Sequence, residues 1–159
     1  MPKKKVVLIR GDGTGPELAD AAMRVMHEVG AIELIEFLVR EAGSEWWLKN
    51  GGDSYFPEET WNALLESDAC YKAPVTTLPT PDTPKSVAVT IRQHFNLYAN
   101  VRPVRTLKGC EGPLGYVDML FVREGTEGLY SGVEFMVNED VGIALRKISR
   151  TASEKVANF

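Results

Sequence analysis

The sequence predicts an α/β fold with helices packed on a largely parallel sheet. Lys5-Val6-Val7-Leu8-Ile9 is a short, continuously apolar, β-branched run, the signature of a strand buried on both faces. A glycine turn follows it and opens into helical periodicity. Strand-like and helix-like stretches then alternate along the chain.

Taken in order, the run at 5–9 ends in Arg10-Gly11-Asp12-Gly13-Thr14-Gly15-Pro16-Glu17. Alternating glycines permit a tight turn, Pro16 suits a first helical turn, and Thr14 is placed to cap it. From 16 to about 29, Leu18, Ala22, Val25, Met26 and Val29 recur at helical spacing. Residues 32–39 read as a second strand. Residues 43–52, with Trp46-Trp47, read as a short helix stopped at Asn50-Gly51-Gly52. Residues 57–66 form a helix with Pro57 and two acids at its start, and 67–72 a short strand. The tryptophans at 46, 47 and 61 are expected in core or interface packing rather than as a stacking platform.

Residues 73–85 hold Thr76, Thr77, Thr80 and Thr83 among prolines at 74, 79, 81 and 84, a composition that excludes helix and central strand. A helix is expected from Ser86, then an extended segment at 99–105 interrupted by Pro103. After a glycine-punctuated link, 117–123 reads as a buried strand that delivers Arg123 to its end. Phe135-Met136-Val137 and 141–148 flank Asn138-Glu139-Asp140 as a hairpin. A last helix begins near 149, with Thr151 and Glu154 spaced as a capping box.

Composition narrows the function classes. At 159 residues the length suits one ordinary domain or part of something larger. A formal charge of -4, with both signs scattered evenly, gives no basic footprint for nucleic acid. No run approaches membrane-spanning length, and the apolar stretch after Met1-Pro2-Lys3-Lys4-Lys5 is too short for a signal peptide, so a cytoplasmic protein is expected. Cys70 and Cys110 stand in no metal-ligand spacing and read as reduced thiols, and with two histidines besides, no zinc site is expected.

The chemistry concentrates between 86 and 130. Ser86 at a helix start and Arg92 nearly two turns on can reach toward one anion, and Arg102 and Arg105 arrive on the extended segment. Arginine is the residue that grips planar carboxylates with paired donors. Arg123 at a strand end, with Tyr130 seven residues on, suggests an anion clamp beside a proton donor, against the commoner reading of Tyr130 as packing. The glycine turn matches neither the dinucleotide fingerprint nor the P-loop, and a structural turn is favoured over a phosphate cradle.

Five motifs in order resemble the isocitrate/isopropylmalate dehydrogenase family of β-decarboxylating dehydrogenases. They are Gly11-Asp12-Gly13-Thr14-Gly15-Pro16-Glu17, Lys72-Ala73-Pro74 ahead of Thr76-Thr77, Leu97-Tyr98-Ala99-Asn100-Val101-Arg102-Pro103-Val104-Arg105, the segment 122–132 from Val122-Arg123-Glu124 to Tyr130-Ser131-Gly132, and Ile148-Ser149-Arg150-Thr151-Ala152-Ser153-Glu154. The resemblance implies oxidation of a 2-hydroxy acid by NAD or NADP, then loss of a carboxylate assisted by Mg2+ or Mn2+. By position it assigns substrate carboxylates to Arg92, Arg102 and Arg123, a γ-carboxylate contact to Ser86, enolate protonation to Tyr130, and the nicotinamide end to Thr76 and Thr77. No metal ligand is assigned within this chain.

Departures from the family pattern shape the expectation. Isopropylmalate members place an acid and two leucines where this chain has Lys85, Ala88 and Val89, while Ser86 suits an isocitrate-like member. Ala88 stands where isocitrate enzymes usually carry Asn, Gly125 is often Asn, and 78–84 replaces a glycine-rich loop with prolines and Asp82. Family members run to about twice this length, and the other half supplies the catalytic lysine, the metal aspartates and the adenosine loop. The expected arrangement is therefore an incomplete fold of this family, with 1–99 in the large cofactor-side domain and 100–159 beginning the small, dimerisation domain. A di- or tricarboxylate ligand, inactivity of the chain alone, and a homo-oligomer or a complementary chain follow. The competing expectation is a non-catalytic regulatory or interaction subunit that binds a tricarboxylate or a full-length relative.

Overall fold

A computed structural model describes residues 2–78, 80 and 83–159, so Pro79, Pro81 and Asp82 of the proline-rich loop lie outside the described residues. The chain divides into two compact units, Met1–Val87 and Ala88–Phe159.

In the first unit, β1 (Lys4–Ile9) is the middle strand of a parallel sheet ordered β2-β1-β3, with β2 at Ile35–Arg40 and β3 at Ala69–Lys72. Being central, β1 buries Val7, Leu8 and Ile9 on both faces, as the unbroken apolar run predicts. Helix α1 (Gly15–Glu28) lies against it: Leu8, Ala19 and Ala73 form a buried cluster with Met23, Phe37 and Tyr71 around it. The helix does not present the stripe its larger apolar residues suggest, because Leu18, Val25 and Val29 are exposed. Small residues decide the rotation. A Cβ added at Gly15 would stand 2.3 Å from the Pro74 carbonyl oxygen, so the Gly15/Ala19 face is the one that approaches the loop closely.

Thr14 occupies the cap position of α1 without making a side-chain cap bond. Its backbone is already helical (φ -80°, ψ -7°), which differs from the extended conformation that turns a hydroxyl back onto the first amides. Gly30, at φ +72°, ends the helix, and a 3-10 turn at Ala31–Glu33 takes up the next residues, so β2 starts later than the expected 32.

Helix α2 (Ser44–Asn50) stops where Gly51 reaches φ +71°, and α3 (Glu58–Glu66) follows Pro57. Thr60 is fully buried and donates from Oγ1 to the Glu41 carbonyl at 2.7 Å, fastening α3 beyond the end of β2. Two of the tryptophans pack edge-on against neighbours, Trp47 on Tyr55 at 5.9 Å and Trp61 on Phe56 at 5.5 Å between ring centroids.

The second unit contains most of α4 (Val87–His94), an antiparallel ribbon of β4 (Ala99–Arg105) and β5 (Asp118–Glu124), the hairpin β6 (Glu134–Met136) with β7 (Gly142–Ala144), and α5 (Arg150–Ala157). The hairpin forms as the sequence predicts, its turn closed by Asn138 Oδ1 accepting from the amides of Asp140 and Val141 at 2.9 Å each. Strand β5 is not buried as expected: Met119, Leu120 and Phe121 are 51%, 59% and 52% exposed. A two-stranded ribbon cannot cover its own faces, and α5, which packs along β5, leaves these side chains outside.

Helix α5 is capped by Ser149, not Thr151. Ser149 has extended backbone (φ -99°, ψ 152°) and accepts from the Ala152 amide at 3.1 Å. It is held there by Glu127, which accepts from the Ser149 amide at 2.7 Å and from its hydroxyl at 2.8 Å. With the cap at 149, Thr151 lies inside the first turn and no 151/154 capping box forms. Among the described residues no helix is long and apolar enough to cross a membrane.

Candidate functional site

The second unit gathers three of the sequence-predicted residues around one ring. The guanidinium carbons of Arg92, on α4, and Arg123, on β5, lie 5.9 and 5.8 Å from the centroid of Tyr130. Tyr130 sits on a 3-10 turn, Leu129–Ser131, and its hydroxyl accepts from an Arg123 terminal nitrogen at 3.0 Å. Two cations near an electron-rich face attract it and leave further guanidinium donors for an anion.

Ribbon register sets Arg102 on the same face as Arg123. Asn100 stands opposite Arg123 and Arg102 opposite Phe121, and directly opposed residues of an antiparallel pair share a face. Arg102 and Arg123 are therefore diagonal neighbours on one side of the ribbon. The Nε of Arg102 donates to Asn100 Oδ1 at 3.3 Å, and the side chain is otherwise exposed.

The loop between Arg123 and Tyr130 is built on two carboxylates that sequence reasoning did not single out. Glu124 accepts from the Thr126 amide at 2.7 Å, the Thr126 hydroxyl at 2.5 Å and the Glu127 amide at 2.9 Å. Partial burial pushes its pKa up, but these donors outweigh that and hold it below the usual carboxylate value. Glu127 is held low chiefly by the Ser149 amide, then by the Ser149 hydroxyl and Lys147, whose ammonium lies 3.3 Å away. A concavity of about 510 Å³ within this unit is lined by Arg123, Glu127, Tyr130, Arg146 and Lys147 among others. It meets the arginine cluster at Arg123 and Tyr130, and neither Arg92 nor Arg102 lines it.

Thr76, Thr77 and Ser86 belong to the first unit. Ser86, half-buried, immediately precedes α4, and both threonines are exposed on the loop after β3. The residue that organises this loop is Asp12, buried to 3% exposure. Its carboxylate accepts from the Ser44 hydroxyl at 2.8 Å, from the Glu45 amide at 3.2 Å, and from the Thr76 amide in a short contact. Burial alone would raise its pKa, yet the donors from Thr76, Ser44 and Glu45 prevail and keep it below the ordinary value. An acid between two glycines just past a buried strand was the available signal.

The glycine turn is structural, as the spacing favoured. Gly11 and Gly13 have φ of +70° and +59°, and a Cβ at Gly11 would lie 1.9 Å from the Pro74 carbonyl oxygen. Its amides are already engaged: Asp12 donates to Pro74 O, Gly13 to Glu45 Oε1 and Gly15 to Asp12 O. Amides turned to protein acceptors in this way are not offered to a phosphate. The Thr76 amide is likewise taken by Asp12, and the Thr76 side chain also hydrogen-bonds that carboxylate. Among the described residues no three His, Cys, Asp or Glu side chains are grouped to hold a metal ion.

A parallel sheet with crossover helices, followed by an antiparallel ribbon carrying arginines around a tyrosine, marks a chain homologous to the β-decarboxylating dehydrogenases, a class of oxidoreductases. The chain belongs to the isocitrate/isopropylmalate dehydrogenase family, whose pattern its residues 5–159 match. It is 34% identical to 3-isopropylmalate dehydrogenase of Sulfurisphaera tokodaii over 96% of this chain and 44% of that protein. It is 36% identical to the NADP isocitrate dehydrogenase of Thermus thermophilus over 99% of this chain and 31% of that protein. The crystal structure of isocitrate dehydrogenase from Methylococcus capsulatus superposes with a TM-score of 0.84 at 34% identity, over 98% of this chain and 45% of that one. The chain thus spans less than half the length of the relatives it matches, and both substrate types occur among them.

Proposed function

We propose that this chain carries the carboxylate-binding part of an isocitrate-type, NAD(P)-dependent oxidative decarboxylase. Arg92, Arg102 and Arg123 bind the carboxylates of a 2-hydroxy di- or tricarboxylate, Ser86 hydrogen-bonds the γ-carboxylate, and Tyr130 supplies the proton that quenches the enolate. Thr76 and Thr77 lie near the nicotinamide end of the cofactor. The observation that carries this reading is the convergence of Arg92 and Arg123 on Tyr130, with Arg102 on the same ribbon face as Arg123. Fixed guanidiniums hold a polyanion as its charge redistributes, with no reorganisation needed at that moment. In the domain plan of the family, 1–99 contribute to the large domain and 100–159 to the small one.

On this reading the catalytic lysine, metal aspartates and adenosine loop belong to the portion of the relatives that this chain does not match. By itself the chain is expected to bind the acid without turning it over. Isothermal titration of the 159-residue chain with isocitrate and with isopropylmalate tests this. Saturable binding of isocitrate, weakened about 10–100-fold in Arg102→Ala, is the expected result. No saturation, or equal affinity in the variant, overturns the assignment, and metal-dependent NAD(P) reduction by the chain alone overturns the claim of inactivity.

A second reading, a non-catalytic subunit that binds a tricarboxylate or pairs with a full-length relative, is favoured by the exposed apolar faces of β5 and the hairpin. Co-sedimentation with a full-length family member that raises or lowers that member's turnover distinguishes it.

A further inference from the structure

The turn that presents Tyr130 is weakly held by its own backbone. It spans three residues, Leu129–Ser131, and the glycines at both ends have left-handed φ, +71° at Gly128 and +65° at Gly132. Its backbone bonds are long, the Tyr130 amide reaching Glu127 O at 3.3 Å and the Ser131 amide Gly128 O at 3.4 Å, while the Ser131 hydroxyl donates to Gly128 O and the Gly128 amide to Lys147 O, each at 2.9 Å. Single 3-10 turns have poor hydrogen-bond geometry, and glycine borders offer little resistance to pivoting. A shorter bond comes from outside the turn. The side-chain amide of Gln93, partly buried on α4, donates from Nε2 to the Tyr130 main-chain oxygen at 2.8 Å. The acceptor is a carbonyl, so it is the amide nitrogen that must face it.

Gln93 is the neighbour of Arg92. Consecutive residues of one helix therefore grip Tyr130 at two points, Gln93 at its backbone and Arg92 near its ring, while Arg123 takes the hydroxyl. We infer that Gln93 is a positioning residue for the candidate anion site: through the Tyr130 carbonyl it fixes the ring against both guanidiniums and so sets the spacing of Arg92 and Arg123. The assignment of that spacing to substrate carboxylates rests on the function proposed above; the latch itself does not.

The test uses the full chain labelled with 3-fluorotyrosine, whose five tyrosines give separate 19F signals, with Tyr130 assigned by Tyr130→Phe. Gln93→Met keeps the length and removes the donor, whereas Gln93→Lys keeps a donor. In Gln93→Met the Tyr130 signal is expected to shift or split, while those of Tyr55, Tyr71, Tyr98 and Tyr116 stay in place, and Gln93→Lys returns a single Tyr130 line. Isocitrate affinity falls about 3–10-fold in Gln93→Met, the effect of one lost hydrogen bond. An unmoved Tyr130 signal in Gln93→Met overturns the inference. Movement of all five signals together overturns it too, since Gln93 then serves the fold at large. Absence of isocitrate binding by the unmodified chain counts against the substrate assignment alone, because the fluorine signals report the latch without ligand.

Discussion

Replacing Asp12 is the sharpest perturbation of the first unit. Its buried carboxylate accepts from Ser44, Glu45 and Thr76, which join the turn after β1 to the start of α2 and to the loop after β3. Hydrogen bonds to a charged group each contribute about 1.5–3 kcal/mol net, and the amides of Glu45 and Thr76 would be left without their acceptor. Asp12→Ala is therefore expected to cost about 3–5 kcal/mol, a large part of the stability of a small domain. Asp12→Asn keeps the shape but turns an amide donor toward other donors, for about 2–3 kcal/mol. Urea unfolding followed by tryptophan fluorescence reads the right region, since Trp46, Trp47 and Trp61 all lie in Met1–Val87. The difference between wild type and Asp12→Asn should be pH-dependent. The folded pKa lies below the unfolded one, so the carboxylate's contribution is complete above the unfolded pKa of about 3.9 and fades as pH falls from there through the folded value. A gap between the two proteins that is constant from pH 7 to pH 3, or below about 1 kcal/mol at pH 7, refutes the reasoning.

Three further expectations follow from local geometry. Gly11→Ala should destabilise by more than 2 kcal/mol, on the order of a backbone clash added to a left-handed φ, while Gly51→Ala, with nothing within 4 Å of its added Cβ, should cost only about 1 kcal/mol for the φ itself; chemical denaturation compares them. Ser149→Ala removes both the α5 cap and a Glu127 bond and should cost about 1–2 kcal/mol, against less than about 0.5 for Thr151→Ala, with helical circular dichroism during thermal unfolding as the readout. Burial pushes the Cys70 thiol up to about 11, only partly offset by Lys72, so at pH 8 iodoacetamide should label exposed Cys110 and leave Cys70 largely unmodified until the chain unfolds; equal labelling by mass spectrometry contradicts this.

The legible parts of this chain were those whose local chemistry admits one solution. The apolar run at Val6 to Ile9 read as a strand buried on both faces, Asn138-Glu139-Asp140 between two apolar runs read as a hairpin turn, and both form. Where several solutions share a pattern, tertiary contact decided. Leu18, Val25 and Val29 share helical spacing with Ala22 and Met26, but the close approach to Pro74 turned the glycine and alanine face inward. Serine and threonine at 149 and 151 are equivalent as caps on paper, and Glu127, distant in sequence, selected the first. The arginine cluster was visible as residue types, since guanidiniums so near a tyrosine are chemically conspicuous. Gln93, Glu124 and Glu127, which hold the cluster in place, were not, because a glutamine or glutamate on a surface pattern carries no sign of which distant main-chain group it will meet.

The contact between Gln93 and Tyr130 ends on a main-chain oxygen, an atom that every amino acid possesses. Whatever residue stands at position 130 can thus be delivered to the same spot by the same glutamine. Phenol, imidazole, carboxyl or ammonium can be exchanged there without redrawing the scaffold, which makes position 130 a natural site for saturation libraries aimed at new proton-transfer chemistry.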